Sequence, residues 1–264
     1  MTALKLLGRG ALVALGLTIA QAIAAGLLRP APEGGASALS LTLGLASSFL
    51  AALVYVHLAQ RSPERAGRLV GFLLAVAFGI PAAYLIEAVF FDIGIPSSEL
   101  SAMFLFTLAV AVAASLLAAL ATGKLSASAP EPLRTVPLHA GRFALSTLSY
   151  VFFYFAAGMM AWPFLKSFYE GRAMPVVHHV ALIQIFRGAA LSLLVWLIAR
   201  NEPAGRGRAA LSAGLTLSII GGVAPLMVPN NPYLPDAVRH VHLVEVGVSN
   251  FLFGALAAWL MREV

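Results

Sequence analysis

The stretch that decides the fold lies at residues 234–261 and reads LPDAVRHVHLVEVGVSNFLFGALAAWLM. It is long enough to cross a bilayer, because a helix needs about 20 residues to span the hydrocarbon layer. The same stretch carries Arg239, His242, Glu245 and Asn250. Lipid does not tolerate such groups without partners, so their presence indicates helix contacts or a functional site.

The composition of the whole chain predicts an integral membrane protein. Of its 264 residues, 60% are hydrophobic and 11% are charged, whereas soluble domains carry about 25% charged residues. The absence of cysteine excludes disulfides, thiolate metal sites and cysteine nucleophiles. The net charge of +6 resides in short segments between apolar stretches. It therefore indicates orientation in a lipid bilayer, and nucleic acid is not an expected partner.

Eight apolar stretches predict eight transmembrane helices. The first could instead belong to a signal peptide, but signal-peptide cores usually span only about 7–15 residues. A membrane barrel would need alternating segments of about ten residues, and the sequence shows none. The expected fold class is therefore an all-α, polytopic membrane helix bundle. The predicted spans are residues 11–28, 37–59, 69–91, 101–122, 143–164, 175–199, 209–228 and 237–261.

The Lys and Arg residues predict the orientation. With the amino terminus inside, 12 of the 17 fall in inner segments and 4 in outer segments, and Arg187 lies within a span. This bias follows the positive-inside rule and predicts that both termini are cytoplasmic. The expected location is the plasma membrane, which is the inner membrane in a bacterium.

The chain is expected to form one membrane domain over residues 1–264. The polar connection 123–142, which is rich in proline and serine, would join two four-helix halves, 1–122 and 143–264. Because parallel repeats occur in transporters, the halves could be related by duplication.

Two spans are predicted to be broken helices. Proline removes a backbone hydrogen bond, so Pro81 should bend the third span. Gly221, Gly222 and Pro225 should break the outer half of the seventh span. Transporter sites lie near the bilayer midplane, beside discontinuous helices of this kind.

Arg187 is predicted to need an acidic partner. It lies 12 residues past Pro175, about 18 Å deep at 1.5 Å per residue, where a lone arginine costs at least about 2.5–3.5 kcal/mol. The only carboxylates within the predicted spans are Glu87 and Glu245. Both are expected in the outer half of the bilayer or near its middle.

Histidines and an amide complete the predicted site. Gln184 shares a helix face with Arg187, and His179 lies on the flank of that face. His242 shares a face with Glu245 in the last span. We therefore expect three helices to converge on a polar site that opens to the outer face.

The leading functional hypothesis is binding or transport of a small polar or ionic solute, without a cofactor. Arg187 and Glu245 would anchor the solute, and Glu87, His179 and His242 would be proton-active groups. The site residues are thus Arg187, Glu245, Glu87, Gln184, His179 and His242.

Three other functions fit the same residues. His179 and His242 could bind haem or, together with Glu245, a divalent metal in a redox protein. A lipid-modifying enzyme could hold a phosphate with Arg187 and move a proton with His179. A pair of Arg187 and Glu245 could also fix helix order in a structural subunit without a ligand. The sequence contains no Walker pattern and no HExxH motif.

Overall fold

The computed structural model describes residues 3–28, 37–91, 95–126, 136–170, 172, 175–229 and 234–262. Within them the fold is all-helical, and the eight predicted spans are confirmed as helices long and apolar enough to cross a membrane. They fit a multi-pass membrane protein, because a helix pairs its own backbone N–H and C=O groups in lipid. The α-helices are α1 (Ala3–Leu28), α2 (Ala38–Arg61), α3 (Ala66–Phe90), α4 (Ser97–Ala121), α5 (Ala140–Tyr169), α6 (Val177–Asn201), α7 (Arg206–Ser218), α8 (Ala224–Met227) and α9 (Asp236–Met261).

The seventh span contains a π-helical turn at the predicted glycine pair, which interrupts the α-helix there without ending the span. The π turn, Ile219–Val223, joins α7 to α8, so that one span runs over Arg206–Met227. Gly221 and Gly222 lie in the turn and are buried, and Pro225 lies within α8. A π turn accommodates an extra residue without ending the helix, so the glycine pair widens this span locally.

The third span is continuous, so a break at Pro81 is not found, and the predicted bend there stays a prediction. Pro81 lies inside α3. Proline removes one backbone hydrogen bond, and the turns on either side of it keep the helix intact. Likewise α5 contains Pro163 and continues to Tyr169, past the predicted end of that span at Phe164.

The sixth span is central to the bundle. α6 packs against α3, α5, α7 and α9. Half of the residues in its most apolar stretch are buried inside the protein, a larger fraction than in any of the other seven spans. One apolar core contains residues of both predicted halves, such as Leu73 and Phe253. The division into two halves and the duplication stay predictions.

Glycines bring α7 and α9 into close contact. A Cβ added to Gly254 would lie 2.8 Å from the carbonyl oxygen of Ala213, and one added to Gly214 would lie 2.9 Å from that of Phe251. Small residues allow membrane helices to approach at such short distances. This contact fixes α9 against the span that carries the π turn.

The helices alternate in direction, which gives the bundle two ends. We call the end where α1 begins and α9 ends the terminal end, and the other the opposite end. Helices α3 and α5 finish at the opposite end, where α6 and α9 begin. The predicted site residues lie in the half of the bundle nearer this opposite end.

Candidate intramembrane binding site

Arg187 lies ten residues into α6, about 15 Å along the helix axis, and only 2% of its side chain is exposed. It donates from Nε to the Ala83 carbonyl at 2.9 Å and from Nη2 to the Tyr84 carbonyl at 3.2 Å. From Nη1 it donates to the Tyr150 hydroxyl at 3.4 Å and to Gln184 Oε1 at 3.1 Å. Four of the five N–H donors of a guanidinium are thereby engaged.

The remaining N–H of Arg187 faces Glu87 of α3, with 3.1 Å between Nη2 and Glu87 Oε2. The other carboxylate oxygen, Oε1, accepts hydrogen bonds from Gln184 Nε2 at 2.5 Å and from the Tyr154 hydroxyl at 3.0 Å. The fully buried Gln184 therefore bonds to both members of the ion pair. Even so, 24% of the Glu87 side chain stays exposed.

The ion pair is connected to the π turn through Tyr84 and Asn250. The Tyr84 hydroxyl donates to Asn250 Oδ1 at 2.6 Å, and Asn250 Nδ2 donates to the Leu217 carbonyl at 3.3 Å, just before the turn. A Cβ added to Gly221, within the turn, would lie 2.7 Å from the Tyr84 ring. Since Arg187 bonds to the Tyr84 carbonyl, one chain of contacts runs from the π turn to the pair.

A second polar group lies on α9. His242 Nδ1 is 2.6 Å from Glu245 Oε2, and His242 Nε2 is 3.3 Å from the Tyr169 hydroxyl. A carboxylate can only accept, so His242 donates from Nδ1 to Glu245, and a second hydrogen bond joins Nε2 to the Tyr169 hydroxyl. Both members of this pair are partly exposed, Glu245 by 16% of its side chain.

The two polar groups flank successive turns of one face of α5. Tyr154 contacts Glu87, and four residues later Gly158 faces Glu245, with 3.9 Å between an added Cβ and Glu245 Oε1. Residues four apart in a helix are neighbours on its surface, with about 5–6 Å between their Cβ atoms. The face of α5 therefore connects the α3–α6 ion pair with the α9 pair.

The structure brings together part of the predicted site and separates the rest. Arg187, Glu87 and Gln184 form one group, and His242 and Glu245 form another. Arg187 is paired with Glu87. The ion pair between Arg187 and Glu245 that the structural-subunit hypothesis predicted is therefore not formed. Glu245 bonds to His242, three residues earlier on its own helix, where a partner is within reach without crossing to α6.

His179 does not join either group among the described residues. It lies in the first turn of α6, its side chain is exposed, and its ring packs edge-to-face on His178 with 4.3 Å between centroids. By the helical step it lies on the flank of the face that carries Arg187. Because it lies two turns nearer the helix start, it does not reach the ion pair.

The described residues do not fit the haem or metal alternatives. Both ring nitrogens of His242 already have partners, and His179 lies at the exposed start of α6. Within the described part of the chain, no three His, Asp or Glu residues are grouped so that they could hold a metal ion. The described residues therefore do not bring together the ligands that a haem or a divalent metal would need.

The tyrosines of the site are absent from the predicted residues. Tyr150 and Tyr154 supply bonds to Arg187 and Glu87, and Asn250 holds Tyr84. Hydropathy treats a membrane tyrosine as part of an apolar span. The four-residue spacing of Tyr150, Tyr154 and Gly158 was a usable signal, because it places all three on one helix face.

A buried ion pair at the terminal end is also absent from the predictions. Arg61 at the end of α2 donates from Nε to both carboxylate oxygens of Glu202, at 3.0 Å each. Glu202 follows α6 directly, is buried, and accepts the Ala204 N–H and the Ser212 hydroxyl. Burial raises the pKa of Glu202, but the bonds from Arg61 and Ala204 outweigh it and hold the pKa below its usual value.

The chain matches no protein-family model, no curated protein and no solved structure with which it was compared. Its function is therefore argued from the geometry of the two polar groups. They involve four spans, α3, α5, α6 and α9, and lie in the half of the bundle nearer the opposite end.

Proposed function

We propose that the protein binds a small polar or ionic solute beside the Arg187–Glu87 pair and carries it across the plasma membrane. The observation that carries this proposal is the unequal burial of the pair. Arg187 is 2% exposed, whereas Glu87 keeps 24% of its side chain exposed. An ionised group is costly within lipid, so a pair that only fixed helix order would gain by enclosing both charges.

The proposed orientation places both termini in the cytoplasm. The terminal end carries the excess of Lys and Arg, as the positive-inside rule requires of the cytoplasmic side. The opposite end then faces outward, and the two polar groups are reached from the outside. In this orientation the Arg61–Glu202 pair lies at the inner end.

Movement of the solute is supported by the π turn. Such turns are frequently found at functional sites, and this one is connected to the ion pair through Asn250 and Tyr84. A local change in the seventh span would therefore reach the groups that hold Glu87.

The residues have separate roles in this proposal. Arg187 holds Glu87 in place, and Gln184 fixes the distance between them. Glu87 and Glu245 present acceptor oxygens to the solute. His242 holds Glu245 in position through the hydrogen bond from Nδ1 to Oε2.

The proposal is tested by ligand-dependent stability of the full chain in detergent. A panel of small amines, carboxylates, amino acids, sugars and inorganic salts is added, and the unfolding temperature is measured. A ligand that binds only the folded state raises this temperature. We expect at least one solute to stabilise the parent protein but not Glu87→Gln, and to be taken up by proteoliposomes that contain the parent protein.

Glu170→Gln is the matched control, since Glu170 is an exposed carboxylate at the end of α5. This variant should respond to the solute as the parent does. The proposal fails if no solute stabilises the parent, or if Glu87→Gln responds as strongly as Glu170→Gln.

A further inference from the structure

We infer that the solute is a small monovalent cation of the ammonium type and that Glu245 is the carboxylate that binds its charge. This inference rests on the proposed function and names the class of solute. It follows from the donors and acceptors that the two polar groups leave open.

Arg187 cannot serve as the anchor of an anion. Its five N–H donors are taken by two carbonyls of α3, by Tyr150, by Gln184 and by Glu87. A phosphate, sulfonate or carboxylate would have to displace one of these partners inside the protein and leave it without a hydrogen bond, which is unfavourable. The side chain is also too buried to be reached.

Glu245 offers the acceptor that remains open. Its Oε2 is bonded to His242, while no described residue donates a hydrogen bond to its Oε1. That oxygen points toward Gly158 of α5, where the missing side chain leaves 3.9 Å to the position of a Cβ. A small N–H donor can therefore approach Oε1 where α5 carries no side chain, at Gly158.

The charge balance favours a single positive charge. Arg187 is paired with Glu87, whereas Glu245 has no arginine or lysine partner among the described residues and bonds only to His242. Glu245 is therefore the carboxylate of the two groups that can accept a cationic solute. A divalent metal would need more acidic or histidine ligands than the described residues bring together, whereas an ammonium group needs only acceptor oxygens.

Tyrosine side chains suit the same class of solute. Tyr154 lies one turn before Gly158 on the α5 face, and Tyr169 contacts His242 at the opposite end. Aromatic rings attract organic cations through their negative faces. A methylated amine would thus find a carboxylate and aromatic neighbours along one helix face.

The test is calorimetric titration of the full-length protein in detergent with methylammonium chloride, and with sodium methanesulfonate as an anion of similar size. We expect methylammonium to bind the parent and methanesulfonate not to bind. Glu245→Gln should weaken methylammonium binding at least about tenfold, because it removes the negative charge of the carboxylate and keeps the shape of the side chain. The exposed Glu170→Gln should bind it unchanged.

Gly158→Ala keeps the test informative if Glu245→Gln does not fold. Its added methyl group lies at an ordinary contact distance from Glu245 Oε1, so we expect it to fold and to weaken methylammonium binding several-fold by filling the approach. Methanesulfonate binding, absence of methylammonium binding, or equal affinity in parent and both variants would overturn the inference. A different solute could stabilise the parent protein but not Glu87→Gln in the stability panel. In that case the proposed function stands, and only the identification of the solute as an ammonium-type cation is wrong.

Discussion

At the scale of single residues, Gln184 is the side chain that joins the two charges of the site. It accepts from Arg187 and donates to Glu87, and it is fully buried. Removing it leaves the buried guanidinium of Arg187 and the partly exposed carboxylate of Glu87 each short of one partner. Loss of a partner costs about 1–3 kcal/mol for each group left unsatisfied.

We therefore expect Gln184→Met to lower the free energy of unfolding by about 2–4 kcal/mol, since two groups lose a bond. Gln60→Met is the control, because the Nε2 of Gln60 is buried with no partner in the described part of the structure. This second change should be neutral or stabilising. Unfolding of both variants in detergent measures the difference, and equal losses would contradict the role given to Gln184.

The depth of Arg187 could be predicted from the sequence, but its partner could not. Counting residues from the start of a span places the charge near the midplane. Glu87 and Glu245 lie at similar depths, and the choice between them depends on which helices are neighbours. α6 packs against both α3 and α9. In the structure Glu245 pairs with His242 on its own helix, α9. Glu87 is the partner of Arg187.

At the scale of helices, close contact between α7 and α9 depends on glycines. A Cβ at Gly254 would lie 2.8 Å from the Ala213 carbonyl oxygen of α7. A backbone atom cannot relieve this contact by a rotamer change, as a flexible side chain can. Overpacking in a close-packed interior costs about 1–3 kcal/mol. The same two spans carry the π turn and Asn250, so this contact supports the site.

We expect Gly254→Ala to destabilise the protein by about 1–3 kcal/mol, the cost of overpacking. Gly71→Ala on α3 is the matched control, because nothing lies within 4 Å of its added Cβ. Alanine favours a helix over glycine by about 0.5–1 kcal/mol, so the control should be neutral or stabilising. Thermal unfolding distinguishes the two, and a stable Gly254→Ala would show that the helices do not approach as described.

The spans themselves were predictable, whereas their irregularities were not. Length and hydropathy determine where a helix can cross lipid, and all eight spans follow this rule. Glycine and proline in a span indicate only that the helix is irregular at that point. The sequence does not distinguish a break from a π turn at Ile219–Val223 or from the continuous helix around Pro81. That outcome depends on the helices packed beside them.

At the scale of the whole molecule, the Arg61–Glu202 pair ties the terminal ends of α2 and α6 together. The pKa of Glu202 in the folded protein lies below the reference value of 4.5. A carboxyl group with a lowered folded pKa stabilises the protein above its unfolded pKa, and this stability is lost as pH falls through the folded pKa. The pair should therefore stabilise the bundle at neutral pH.

We expect Glu202→Gln to be less stable than the parent at about pH 7 and the difference to shrink as pH falls below about 4.5. Melting temperatures of both proteins over this range give the result. A difference that stays constant from neutral to acid pH would show that ionisation of Glu202 does not contribute.

The proposed topology can be tested directly, because the chain contains no cysteine. Single-cysteine variants Glu170→Cys and Ala204→Cys place one thiol at each end of the bundle. In intact cells, a membrane-impermeant maleimide should label position 170 and should label position 204 only after the membrane is opened. The reverse pattern would place the polar groups nearer the cytoplasm.

The central claim is that charges from α3 and α6, distant in the chain, are partners within the membrane. A double-mutant cycle on unfolding free energy tests it, with Arg187→Gln combined with Glu87→Gln in one cycle and with Glu245→Gln in another. Removing one partner of a buried ion pair costs about 3–5 kcal/mol. The double variant Arg187→Gln with Glu87→Gln should therefore lose at least about 1 kcal/mol less unfolding free energy than the sum of the two single losses. The second cycle should be close to additive. Additive losses in the first cycle, or stronger coupling in the second, would contradict the pairing of Arg187 with Glu87.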